Sequence, residues 1–143
     1  RQALSGPLLD RIDLQVTVDR PRVAPTARSG KADEGSAAAR ARVLAARRRQ
    51  AERFRRLGLA VPPGQPAVNR WLGAGDAHRW APMAAAARRL LDELYRDPES
   101  GLSPRGLLKV LRVARSAADL AGRDEIAVGD VELAAQFRFP AGM

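Results

Sequence analysis

The sequence predicts a mainly α-helical fold, a small helical bundle preceded by a single strand stub. Three observations predict it. Apolar residues recur at helical spacing through most of the chain after residue 36. Helix start and stop residues divide that stretch into four helices with short joins. Strict apolar–polar alternation is confined to residues 12–18. With 143 residues and 45% hydrophobic content, the chain is long enough to fill one core.

Leu4-Ser5-Gly6-Pro7 opens as a turn, and Leu8-Leu9-Asp10-Arg11 fits one helical turn. Ile12-Asp13-Leu14-Gln15-Val16-Thr17-Val18 then alternates like a half-buried strand. A lone strand exposes unpaired N–H and C=O groups along its edges. Residues 1–20 are therefore expected to be the end of a sheet-containing domain that begins upstream. Residues 21–35, with Pro21, Pro25, Gly30 and Gly35, form a linker.

Residues 36–143 form the helical domain. Ser36 is the expected N-cap of a helix over 37–57, and Gly58 its stop signal. Val43, Leu44, Ala51, Phe54 and Leu57 mark the expected inner face. The outer face then carries Arg40, Arg42, Arg47, Arg48, Arg49, Arg53, Arg55 and Arg56. Pro62, Pro63 and Pro66 interrupt the chain, leaving at most a short helix over 67–72. A second helix is expected over 81–95, with Met83, Ala87, Leu90, Leu91 and Leu94 apolar. Ser103-Pro104 pairs an N-cap with proline at the first helical position, starting a third helix that stops at Gly122. Asp130 is the expected cap of a last helix over 131–137.

Composition removes several classes of function. The chain has no cysteine, which excludes thiol catalysis, disulfides and cysteine-based zinc sites. His78 is the lone histidine, too few for a two-histidine metal site. No apolar run is long enough to span a membrane, and no secretory signal is visible. A cytoplasmic protein without a membrane partner is expected. The formal net charge is +9, carried almost wholly by arginine, since only Lys31 and Lys109 are lysines. Such a charge favours polyanionic partners, although arginine bias also accompanies GC-rich codon usage.

Two arginines stand out by position. Arg11 sits at the root of the predicted strand, where a planar guanidinium can reach phosphates held by a neighbour. Flanking Asp10 and Asp13 offer the competing reading of an internal ion pair. Arg105 is the second residue of the Pro104 helix, where free N–H groups and the helix dipole favour an anion. Ordinary solvent exposure is the competing reading there. Gly30-Lys31 is rejected as a phosphate loop: no glycine precedes it at the right spacing, and Ala32 replaces Ser/Thr. The arginine-rich first helix, including Arg47, Arg48, Arg55 and Arg56, reads either as a solvated face or as a nucleic-acid contact. Trp71, His78 and Trp80 cluster in sequence and read as packing residues.

Two stretches carry a family resemblance. Leu4-Ser5-Gly6-Pro7-Leu8-Leu9-Asp10-Arg11-Ile12-Asp13-Leu14 resembles the segment before the last core strand of magnesium-chelatase-like AAA+ ATPases. Leu102-Ser103-Pro104-Arg105-Gly106, together with residues 111–122, resembles that group's helical lid. The likeness is greatest to the YifB/ComM-type competence-related members, and Asn69 resembles an asparagine between their two lid halves. The resemblance implies the end of an ATPase core over 1–20 and a helical lid over 36–143. It implies that Arg11 is an arginine finger reaching ATP in the adjacent ring subunit, and Arg105 the sensor-2 arginine on the same phosphate. ATP and Mg²⁺ are then cofactors of the full-length protein, held by an upstream core. Neither is expected to be bound by this chain alone, which should not hydrolyse ATP. The implied partners are the ATPase core and the neighbouring subunits of a homo-oligomeric ring, with DNA as a further partner of some relatives. Two rival readings are a free-standing DNA-binding module using residues 40–56 and a structural oligomerisation domain.

Overall fold

The computed structural model describes residues 12–18 and 34–138. Five α-helices are formed among them: α1 Ser36–Leu57, α2 Ala77–Trp80, α3 Ala85–Arg96, α4 Pro104–Leu120 and α5 Val128–Arg138. Two 3-10 turns, Asn69–Trp71 and Pro98–Ser100, punctuate the joins. The arrangement is a small bundle in which α4 packs against both α1 and α5, and α3 closes on α5.

Local chemistry explains where the elements start and stop. Ser103 Oγ accepts a hydrogen bond from the Gly106 N–H at 3.0 Å, and Pro104 follows it at the first helical position. At the other end Gly122 adopts φ +73°, the left-handed conformation that ends a helix without a Cβ clash. Gly58 does the same for α1 at φ +62°. The start of α1 differs from expectation. Gly35 occupies the cap position and Ser36 is already helical, so the Gly35 carbonyl serves Ala38 and Ala39 and no side chain caps them.

The second expected helix begins later than its pattern suggests, at Ala85 instead of residue 81. Residues 82–84 are extended because they pair with the chain before α5. Ile126 N–H donates to the Pro82 carbonyl and Ala84 N–H to that of Ile126, at 2.9 and 3.1 Å. Asp130 is also displaced from its expected role. It lies inside α5, at the third helical position, and its Oδ2 accepts from the Ala127 N–H at 2.9 Å. That contact is the returning half of a capping box, and it leaves the helix three residues longer at its start than a cap at Asp130 would allow. Asp130→Ala removes it together with the Arg123 ion pair at 2.5 Å. A loss of about 1 kcal/mol in urea unfolding is expected, with fraying of α5 visible as faster amide exchange at Ala127 and Val131.

The core gathers Trp80, Leu72, Val110, Ile126 and Val131, each at 2% exposure or less. Trp80 is fully buried with its Nε1 donating to the Gly73 carbonyl at 2.8 Å, so its one polar atom is satisfied. Sequence placed it correctly as a packing residue. The expected inner face of α1 is largely wrong. Val43 and Leu44 are each 48% exposed, and the buried stripe is Ala46, Gln50, Arg53 and Phe54.

The expected strand is not formed among the described residues. Residues 12–18 form no regular element and bend at Asp13, with a backbone link from Gln15 N–H to the Phe137 carbonyl at 2.8 Å. A strand needs a neighbour to complete its ladder, and here the segment lies against helices. Leu14, Val16 and Val18 are 51%, 66% and 86% exposed. Of the expected linker 21–35, only Glu34 and Gly35 belong to the described residues. No described helix is long and apolar enough to cross a membrane.

Candidate functional site

The N-terminus of α4 presents the most exposed chemistry of the sequence-predicted residues. Pro104 has no N–H, Gly106 N–H is taken by Ser103 Oγ, and Leu107 N–H by the Ser103 carbonyl. The Arg105 N–H is left pointing out of the helix end. The Arg105 side chain is exposed and makes no hydrogen bond or ion pair with the described residues. A cation in the first turn opposes the helix dipole, so an anion bound there relieves two unfavourable terms together. Gly106 lets the turn close tightly. A Cβ there would meet Leu102 Cδ1 at 3.0 Å and Ser103 Oγ at 3.4 Å.

One turn further along the same face, Lys109 Nζ holds Asp13 Oδ1 at 3.0 Å. The chain segment that follows Arg11 is thereby laid beside the helix that carries Arg105. Arg11 itself lies outside the described residues.

Sequence reasoning missed the most elaborate polar cluster. Asp119, on α4, is fully enclosed and receives four donors from three side chains. Arg53 forms a bidentate pair with it, its Nη1 at 3.0 Å from Oδ2 and its Nη2 on Oδ1. Asn69 Nδ2 donates to Oδ2 at 2.9 Å, and Arg115 Nη2 lies 3.1 Å from Oδ1. Asn69 also accepts from Arg53 at 3.1 Å and donates to Ser116 Oγ at 3.0 Å. Arg115 extends the cluster to the Asp124 and Arg123 carbonyls at 2.5 and 2.6 Å. The cluster ties α1, the Asn69–Trp71 turn, α4 and the loop after it into one unit. Burial pushes the Arg115 guanidinium down from its ordinary value, with Asp119 pulling it back up and Arg53 pushing it further down. Arginine starts so high that Arg115 stays charged. Arg53 was assigned to the outer face by periodicity; it is 8% exposed because a partner 66 residues away neutralises it. The nearest sequence signal is the Arg115/Asp119 pair at i, i+4 between the apolar positions Ala114 and Ala118.

Arg112 completes the seam by donating Nε and Nη2 to the Leu72 carbonyl at 2.8 and 2.5 Å. Burial lowers its value, partly offset by Asp13.

The arginine-rich face of α1 is broken up by carboxylates. Arg55 is held by Glu52 at 2.7 Å, which raises the arginine above its ordinary value. Arg49 pairs with Asp124 at 2.5 Å, and Arg42 with Glu34. Arg47 turns toward Gln50 Oε1 at 3.4 Å. Arg48 and Arg56 are exposed and make no ion pair with the described residues. Among the four arginines expected to meet nucleic acid, the structure therefore leaves an interrupted strip of charge.

Among the described residues no cluster of three or more His, Cys, Asp or Glu is placed to hold a metal ion. What the site offers is cationic: an exposed guanidinium and a free backbone N–H at a pre-organised helix start.

Comparison with known proteins agrees with this architecture. The family described as magnesium chelatase, subunit ChlI C-terminal, matches residues 33–138. An uncharacterised protein of Mycobacterium tuberculosis is 38% identical over 135 residues, 94% of this chain and 25% of its own length. The uncharacterised protein YifB of Escherichia coli is 30% identical over 135 residues, 94% of this chain and 24% of its own. Its Salmonella typhimurium counterpart is 31% identical over the same share. The chain spans about a quarter of the length of these relatives. The family match covers the whole helical bundle, with the capped α4 start and the Asn69 turn inside it, and the chain belongs to the magnesium chelatase subunit ChlI C-terminal family, as a C-terminal part of a magnesium-chelatase-like protein of the YifB type.

Proposed function

We propose that this chain is the helical lid region of a ring-forming AAA+ ATPase, and that Arg105 contacts the phosphates of ATP bound by the ATPase core. One observation carries the reading. α4 begins with a fixed Ser103 cap and presents an exposed guanidinium with no partner among the described residues. Family membership supports it. Arg11 is proposed as the arginine finger acting on the neighbouring subunit's nucleotide, a role that rests on the resemblance of residues 4–14.

The chain's own residues fit part of this assignment. An arginine at a helix N-terminus suits a phosphate and supplies charge-assisted hydrogen bonds. Holding the nucleotide's base and its Mg²⁺ belongs to other parts of the whole protein. Bound ATP would supply the phosphoryl group; Arg105 orients it and offsets its charge, and the Asp119 cluster keeps α4 fixed relative to α1 while it does so. The ring is proposed to be cytoplasmic.

Arg105→Ala in the full-length protein tests the reading. A charge-assisted hydrogen bond contributes about 1.5–3 kcal/mol, so the apparent affinity for ATP should fall about tenfold or more. Arg105→Lys should restore part of it. Unaltered ATPase kinetics in the alanine variant would remove the assignment. Coupling of hydrolysis to DNA remodelling is the second reading, favoured by Arg48 and Arg56 on α1, which are exposed and make no ion pair with the described residues. Its signature is DNA affinity that falls steeply with salt.

A further inference from the structure

Lys109, Val113, Ser116 and Leu120 form one stripe along α4, and a groove follows it. One half of the groove, about 210 Å³, is lined in part by the chain's own Asp13 and Leu14. Asp13 pairs with Lys109 there at 3.0 Å, and Leu14 sits on the wall opposite Val113. Asn69, Arg70 and Ser116 line both this half and a larger adjoining one of about 490 Å³.

The larger half is open. Val43, Val68, Trp71 and Leu120 share its walls with Arg47 and Arg70, and no Asp or Glu lines it. Val43 and Leu120 are 48% and 43% exposed. Neither arginine has an ion pair among the described residues: Arg47 reaches only Gln50, and Arg70 lies over the Trp71 ring at 4.8 Å.

We propose that the open half docks an extended, acidic and apolar segment of a partner protein. Its carboxylates pair with Arg47 and Arg70, and its apolar side chains cover Val43, Trp71 and Leu120. Two observations select this occupant. The charge of the walls is wholly cationic, and uncompensated cations beside exposed apolar side chains match a carboxylate flanked by leucine or an aromatic. The chain also supplies its own precedent, because Asp13-Leu14 lies against the same helix stripe, carboxylate on cation, with Leu14 and Val113 lining one groove. Nucleic acid fits less well. Arg70 covers one face of the Trp71 ring, and much of the wall has nothing to offer a sugar-phosphate backbone.

The test is selection from a random-peptide display library on the immobilised 143-residue chain, followed by anisotropy titration of the enriched peptide. Enrichment of Asp or Glu beside Leu or aromatic residues is expected. The double variant Arg47→Glu/Arg70→Glu should weaken the selected peptide about tenfold or more. Both side chains lie on the surface; if that variant loses its helical circular dichroism, Arg47→Gln/Arg70→Gln serves in its place with the same direction of change. Several results overturn the proposal: no enrichment, enrichment of basic or uncharged peptides, or binding that neither double variant alters. So does a single-stranded oligothymidylate that binds more tightly than any peptide and is released by the same substitutions, which makes the groove a nucleic-acid site.

Discussion

Asp119→Ala should destabilise the bundle by about 3–5 kcal/mol, read as a lowered urea midpoint with little change in slope. The carboxylate is enclosed completely and holds Arg53, Arg115 and Asn69 around it. Removing it leaves two guanidiniums buried near each other with no anion between them, and their mutual repulsion is already evident in the downward push of Arg53 on Arg115. Breaking a buried pair from the side of the minority charge is the worst case, because desolvation of the survivors is no longer offset. The reverse substitution sets the sign. Arg53→Met leaves Asp119 paired with Arg115 and hydrogen-bonded by Asn69, one cation to one anion, and replaces the lost stem with apolar volume. It should be less harmful than Asp119→Ala. Equal losses for the two variants would mean that charge balance is not what holds the cluster together.

Arg11→Ala, in the full-length protein, should lower turnover of the assembled ring by about a thousandfold or more while ATP still binds. An arginine supplied across a subunit boundary stabilises charge that develops only as the phosphoryl group transfers, so its loss falls on kcat and spares ground-state affinity. Assembly should persist in sedimentation. The contrast with Arg105→Ala is informative, since the lid arginine should act chiefly on nucleotide affinity. Unchanged turnover in the Arg11 variant would remove the finger assignment and leave the lid assignment standing.

Much of α4 was legible because its signals are local. Ser103-Pro104 at one end and Gly122 at the other each act within a turn of the backbone they terminate. Of the apolar side expected there, Leu111, Ala114 and Ala118 are buried and Leu107 and Leu108 partly so, whereas Leu120 is 43% exposed. α1 was misread for the opposite reason. Its buried stripe includes Gln50 and Arg53, polar residues that periodicity assigns to water, and Arg53 is inside because Asn69 and Asp119 arrive from distant parts of the chain. Asn69 entered the sequence reading through family resemblance, with no physical role attached; its place is as the hinge pin of the buried cluster. The early start of α5 follows from the Asp130 carboxylate on the Ala127 N–H, and the late start of α3 from the pairing of residues 82–84 with Ile126. No local pattern announces such a contact. The strand alternation of residues 12–18 describes side chains that prefer extended backbone, but the segment bends at Asp13 and no sheet that would make it a strand is formed among the described residues.

The most direct measurement is a structure of the full-length assembly with a non-hydrolysable ATP analogue. The account predicts the Arg105 guanidinium within about 3 Å of a phosphate oxygen at the start of α4, and Arg11 reaching the same nucleotide from the adjoining subunit. A nucleotide-filled ring in which both side chains face open solvent would contradict it.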